Sequence, residues 1–370
     1  MTALTDLYDN YGQSPWIDNL RRDWLSDGTL AKYLANGVRG MTSNPSIFAK
    51  TIGGSAAYDD DIANSKETDP EKVFESLAVA DVQNACDLLA VVHESSKREF
   101  ASGTRRYLDG FVSLEVSPRL AHDTEGTVAA AKRLFAEVSR PNVMIKIPAT
   151  KAGLPAITAV LGAGINVNVT LIFSVERYNE VISAWRQGIS EAHAAGLDIT
   201  NIASVASFFV SRVDVAVDAL LPEGDARRGR TANAQAAAAY QLYRTRAASD
   251  EVTNLLSLGA QVQRPLWAST STKNPSYDKL LYVDRLVADE TVNTMPDATL
   301  ADALEHLNPA TSYLLTKESC HQTADELNHL EPDVTLAKVS EQLEEEGVAS
   351  FAKSYDELLA TVSSKMHSVK

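Results

Sequence analysis

Two ionisable residues stand inside otherwise apolar runs. Lys146 interrupts NVMIKIPAT (142–150), and Glu115 interrupts GFVSLEVS (110–117). Taking a lysine out of water disfavours its ammonium form. The neutral amine adds to ketones and aldehydes, and a Schiff base is the usual product. A nearby carboxylate opposes that shift when ionised. It can instead carry protons, directly or through a water, while a carbinolamine forms and dehydrates. The same pair also reads as a structural ion pair. Asn168 and Thr170, in GINVNVTLIF (164–173), tilt the balance towards chemistry, because they offer hydrogen bonds to a hydroxylated ligand. Leaving such groups buried without partners costs roughly 1–3 kcal/mol each.

These residues sit in segments that read as strands. Side chains alternate across a strand, so Val143, Ile145 and Ile147 share one face while Met144 and Lys146 share the other. Val112, Leu114 and Val116 separate in the same way from Phe111, Ser113 and Glu115. Ile165, Val167, Val169 and Leu171 separate from Asn166, Asn168 and Thr170. Three consecutive strands thus place their polar residues on one parity, and Glu115, Lys146, Asn168 and Thr170 converge.

Candidate strands near 15–20, 38–42, 110–116, 142–148, 164–173, 201–207, 261–269 and 289–293 alternate with helix-like segments at 21–35, 70–100, 127–138, 154–161, 175–195, 209–221, 232–257 and 277–286. Eight strand–helix units predict parallel strands joined by crossover helices, and a closed α/β barrel of the (β/α)8 TIM type rather than an open doubly wound sheet. The branched apolar faces suit the helix layer, which points Lys146 inward. The tail predicts three further helices at 300–307, 336–347 and 351–366. The expected organisation is one domain, with a barrel over about 15–296 and a helical extension over about 299–370.

The 370 residues are 45% hydrophobic, enough for a large core, and carry a net charge of −15. That surface repels nucleic acid and anionic membranes, so neither is an expected partner. Anionic ligands then require a local cluster of donors. The two cysteines, Cys86 and Cys320, have no metal spacing, and the first residues lack a signal-peptide pattern. A cytoplasmic setting follows. LGAGIN lacks the third glycine of a dinucleotide fingerprint, no GxxxxGK[ST] or HExxH occurs, and the seven histidines are scattered.

In order along the chain, GMTSNPSIF, VSLEVSPRL, VMIKIPAT, INVNVTLIFS and SFFVSRVD resemble the transaldolase family, over Trp16 to about Pro296. PLWASTSTKNP and DETVNTMP resemble a longer bacterial branch of it. The resemblance implies that Lys146 forms a Schiff base with a ketose phosphate. It implies that Glu115 works through a water positioned by Thr170, and that Asp18, in WIDNL, takes the C4-hydroxyl proton. Asn44 and Asn168 would hold the dihydroxyacetone unit, with Thr42, Ser207 and Phe209 at further pocket positions. No metal or organic cofactor is implied. Each assignment has a plainer alternative. Asp18 can cap the following helix, Asn44-Pro45 can be a turn or helix start, and Ser207 and Phe209 can be strand-end packing.

For the phosphate, Arg212 matches one of the family's two arginines and can bind it bidentately. At the second position the family commonly has serine, an aromatic, then arginine. Here a longer hydroxyl-rich stretch runs from Ser269 to Lys273, so either Ser269 or Ser271 is the matching hydroxyl. Asn274-Pro275 reads as an N-cap and first helical residue, a free helix end being favourable for an anion. The implied activity is transfer of dihydroxyacetone from sedoheptulose 7-phosphate to glyceraldehyde 3-phosphate. A related Schiff-base aldolase releasing free dihydroxyacetone is the alternative, and a sugar-phosphate-binding barrel without catalysis is a third. The oligomeric state is open, a homodimer included.

Overall fold

A computed structural model of the protein describes residues 1–330 and 333–369. Its seven strands are β1 (Gln13–Ile17), β2 (Val112–Glu115), β3 (Val143–Pro148), β4 (Val167–Ile172), β5 (Ser204–Phe209), β6 (Arg264–Ala268) and β7 (Thr291–Met295). All pairings are parallel, in the order β1-β7-β6-β5-β4-β3-β2. The sheet curls into a TIM-like α/β arrangement with helices around it. Every residue of β3 is buried, as its near-continuous apolar run requires when both faces are covered.

The second expected strand, 38–42, is not one. Residues 39–42 lie between β1 and β2 and hydrogen-bond to both. Arg39 N donates to Pro15 O at 2.8 Å, and Met41 N to Phe111 O at 2.9 Å. They count only as bridges of Met41 to Ile17 and Val112. Gly37, with φ of 105°, breaks the extended backbone before them. At Gly40 a Cβ would stand 2.4 Å from the Trp16 indole, so the segment passes against a buried ring where only glycine fits.

Below β1 and β2 lies a buried charged network. Asp109 accepts from Ser14 Oγ (2.5 Å) and Trp16 Nε1 (2.9 Å), and pairs with Arg39 (3.0 Å) and Arg264 (3.3 Å). Arg264 also donates to Ser14 Oγ at 2.7 Å. The carboxylate is fully buried, yet its acceptor sites are filled and two guanidiniums balance its charge.

Several helices differ from expectation. The 21–35 segment is two helices, Arg22–Ser26 and Thr29–Ala35. The 232–257 segment breaks at Ala248–Ser249 into Thr231–Ala247 and Asp250–Ser257. No helix begins at Pro275. The chain there forms turns, Asn274 Oδ1 accepts from Ser276 N at 3.0 Å, and only Leu281–Asp284 is helical. The two helices expected at 336–347 and 351–366 are one, Leu336–Val369, which passes through Gly347 unbroken. Gly347 is kept by contact rather than by helix propensity, since a Cβ there would lie 3.1 Å from Leu171 and 3.4 Å from Phe173.

That terminal helix packs along the helices Pro45–Gly53, Asp59–Asn64 and Pro70–Ala101. Ser46 Oγ donates to Ser354 Oγ (2.7 Å), Ser340 Oγ to Phe173 O (2.8 Å) and Lys365 Nζ to Asp59 Oδ1 (2.6 Å). No helix among the described residues is long and apolar enough to cross a membrane.

Candidate active site

The inward parity read from the three strands is what the register delivers. Glu115 pairs with Lys146 across β2 and β3, and Lys146 with Asn168 across β3 and β4. The Lys146 Nζ lies 3.3 Å from Glu115 Oε2, with both side chains 6% exposed, and donates to Ser43 O at 3.2 Å. Asn168 donates from Nδ2 to Ser113 Oγ at 3.0 Å and accepts from Ser207 Oγ at 2.7 Å. An amide held from both sides has its orientation determined.

Above this layer, at the carboxyl ends of the strands, a cavity of about 740 Å3 opens. Ligands of parallel α/β folds bind at this end. Asp18, Thr42, Asn44, Lys146, Thr170, Ser207, Phe209, Arg212, Ser269, Ser271 and Lys273 line it. Glu115 and Asn168 do not. Glu115 is paired to Lys146, and Asn168, level with Lys146 in the register, has its amide bonded to Ser113 and Ser207. All thirteen expected residues therefore gather at one place, in two layers.

Asp18 does not cap the helix that follows, whose N-cap is Arg21. It accepts from Thr42 Oγ1 at 2.6 Å, and Thr42 in turn meets Thr294 Oγ1 at 2.7 Å. Burial raises the Asp18 carboxyl above the ordinary range, while Lys146 and the Thr42 bond pull it down less strongly. Glu115 is raised by the same cause, against the pull of Lys146. Asn44 starts a helix, as one reading had it, and also faces the cavity. Its Oδ1 caps the helix Pro45–Gly53 through Ile47 N at 3.0 Å, and the residue lines the cavity. Glu115 Oε2 faces the Lys146 amine as an ion pair, whereas Thr170 Oγ1 is buried and has no hydrogen-bond partner among the described residues.

At the far side, Arg212 and Lys273 form no ion pair among the described residues. Burial lowers the Arg212 guanidinium, with Asp18 and Glu346 acting against it. Burial and then Arg212 lower the Lys273 ammonium, and Lys50 adds to the effect. Neighbouring cations that disfavour one another's charge are stabilised together by a shared anion. Lys273 Nζ donates to Ser271 Oγ at 2.7 Å, while Ser269 is hydrogen-bonded to Ser211 Oγ at 2.8 Å. Ser269 has a φ of 58°, in the left-handed region, which turns the chain sharply off β6. The hydroxyl with the cation is therefore Ser271, whereas Ser269 is engaged by the loop after β5. The anion end has no helix N-terminus at Pro275.

Among the cavity residues not singled out in the sequence, Thr294, Lys50 and Phe351 stand nearest the argument. Thr294 shares the inward face of its strand, a signal that parity offers. Lys50 sits in the last turn of the helix that Asn44 caps, where a lone lysine looks like surface. Phe351 comes from the terminal helix and lies 5.7 Å from Lys146 Nζ and 5.9 Å from the Arg212 guanidinium, ring centroid to atom. Nothing local marks it, since its place depends on where the tail docks.

Fold and cavity define the class: a TIM-like α/β enzyme with a buried lysine–carboxylate pair under a polar cavity at the strand ends. The chain belongs to the transaldolase family, since a family model described as Transaldolase/Fructose-6-phosphate aldolase matches residues 15–362. It is similar to "Transaldolase 1" of Streptomyces coelicolor, at 47% identity over 99% of this chain and 95% of that protein. It is also similar to "Transaldolase" of Mycolicibacterium smegmatis, at 45% over 97% and 96%, and to "Transaldolase 2" of a Nostoc species, at 42% over 96% of each. The match extends past Pro296, where the resemblance read from the motifs stopped, so most of the helical tail is family sequence.

Proposed function

We propose that this transaldolase moves a dihydroxyacetone unit from sedoheptulose 7-phosphate to glyceraldehyde 3-phosphate, giving erythrose 4-phosphate and fructose 6-phosphate. The observation that carries the reading is the Lys146–Glu115 pair, 3.3 Å apart, nearly excluded from solvent and adjoining the cavity. The ketose lies with its carbonyl carbon at Lys146 and its phosphate towards Arg212, Lys273 and Ser271. Lys146 Nζ adds to the carbonyl. Glu115, acting through a water between its Oε2 and Thr170 Oγ1, passes the protons that turn the carbinolamine into the iminium and release water. The buried Thr170 hydroxyl, without a partner among the described residues, supports that placement.

Asp18 then takes the C4-hydroxyl proton. The C3–C4 bond breaks, its electron pair enters the iminium to give an enamine, and the aldehyde leaves. Asn44 holds the retained unit until the acceptor aldehyde arrives and the steps reverse, while Asn168, bonded to Ser113 and Ser207, orients the Ser207 hydroxyl that lines the cavity. Seven strands and the bridging segment 39–42 are read as a closed eight-membered barrel, and barrel and tail as one functional unit. The reading places the enzyme in the cytoplasm, in the non-oxidative pentose phosphate pathway, without a nucleic-acid partner.

Borohydride reduction in the presence of fructose 6-phosphate tests this. A three-carbon adduct is expected on the peptide carrying Lys146, and none in Lys146→Met. An adduct on another lysine, or none, refutes the assignment.

A further inference from the structure

Phe351 belongs to no strand and to no group argued above to take part in chemistry. Its side chain is nonetheless 5% exposed, lines the cavity, and spans from the amine to the anion-binding arginine. The ring lies among other aromatic faces. Phe209 carries the same Arg212 guanidinium at 5.3 Å and packs on Phe173 at 5.1 Å. Its height above the amine is determined from two sides. One turn earlier, Gly347 lets the helix rest on Leu171 and Phe173; three residues later, Ser354 accepts from Ser46. Leu171, with a φ of 58°, directly follows Thr170, so the roof rests on the residue next to a cavity-lining hydroxyl.

We propose that Phe351 is a positioning residue, an apolar roof that keeps bulk water from the Schiff-base carbon while the enzyme holds the three-carbon unit between its two half-reactions. The proposal rests on the Lys146 reading above. The side reaction it suppresses is balanced simply. The enamine carbon takes a proton, water adds to the resulting iminium carbon, and the C–N bond breaks to free dihydroxyacetone and the Lys146 amine. Excluding water from a reactive intermediate is a recognised role of a closed site.

The test compares free dihydroxyacetone release from fructose 6-phosphate without acceptor against transfer to erythrose 4-phosphate. In Phe351→Ala the release-to-transfer ratio is expected to rise about tenfold, equivalent to one modest interaction. In Phe351→Leu, which restores apolar bulk without the ring, it stays within about twofold of wild type, well under the tenfold scale. Phe351→Val replaces alanine if that variant does not fold, with the same rise expected. An unchanged ratio, with both rates falling together, overturns the proposal and makes Phe351 merely structural. A leucine variant as leaky as alanine also overturns it. Borohydride trapping on each variant separates the two readings: trapping at Lys146 with an unchanged ratio sinks the roof alone, whereas no trapping even in wild type sinks the Schiff base.

Discussion

Thr42 has no chemical step of its own, yet its hydroxyl, bonded to the proposed base Asp18, helps to decide when that carboxylate can act. The aspartate must be ionised to accept a proton. Burial raises its carboxyl, and the 2.6 Å bond from Thr42 is one of the interactions that bring it back down. Removing that bond in Thr42→Val raises the Asp18 carboxyl further, so less of it is ionised at a given pH. The acid limb of donor cleavage should move to higher pH, while the plateau well above it falls by less than the activity near the limb. A pH profile of kcat/KM checks this, and an unmoved limb refutes it. Legibility at this scale followed a simple rule. A polar side chain in a strand buried on both faces has to be explained, and parity shows where it points. Lys146, Glu115, Asn168 and Thr170 were legible for that reason. Phe351 was not, because an aromatic on an amphipathic helix is ordinary until the helix is docked.

At the scale of elements, the segment 39–42 shows why the second strand eluded the pattern. Its backbone bonds both neighbours, but its side chains do not alternate in type, Gly40 interrupts it and Gly37 precedes it. Gly40 is required by Trp16. The indole cannot swing away because its Nε1 is held by Asp109 at 2.9 Å. Gly40→Ala is expected to destabilise the protein by about 1–3 kcal/mol, the usual cost of overpacking, and by more if the ring bond breaks. Urea unfolding measures it. A neutral effect would mean that the segment is free to move off the ring. The helix break at Ala248–Ser249 and the fusion at Gly347 were illegible for opposite reasons. The first lacks a Gly or Pro, and the second has a glycine that the packing uses as a place to touch.

Across the whole molecule, the net charge of −15 and the cation-lined cavity are complementary. An acidic surface discourages nonspecific anions, and Arg212, Lys273 and Lys50 create one local place where an anion is welcome. At the other end, the Asp109 network holds β1, the 39–42 segment, β2 and β6 together. Burial would raise the Asp109 carboxyl, but Arg264 and Arg39, with bonds from Ser14 and Trp16, hold it below its ordinary 3.8. The group therefore adds stability above its unfolded value, and that stability is lost as pH falls through the lower folded value. Asp109→Ala leaves buried Arg264 without its carboxylate and is expected to cost about 3–5 kcal/mol. Unfolding midpoints across acidic pH should show wild type losing stability where the variant has none left to lose. Neither Asp109 nor Arg264 was legible as a pair, because they are 155 positions apart in the chain and meet only when the sheet curls.

The docking of the final helix has a consequence for biosynthesis. A ribosome delivers Lys146, Glu115 and Asp18 long before Phe351. A stalled or clipped nascent chain would present its amine to metabolite sugars with nothing overhead, a condition that favours unproductive glycation over turnover. On the proposed roles of Lys146 and Phe351, completing the polypeptide would double as the safety catch on that nucleophile.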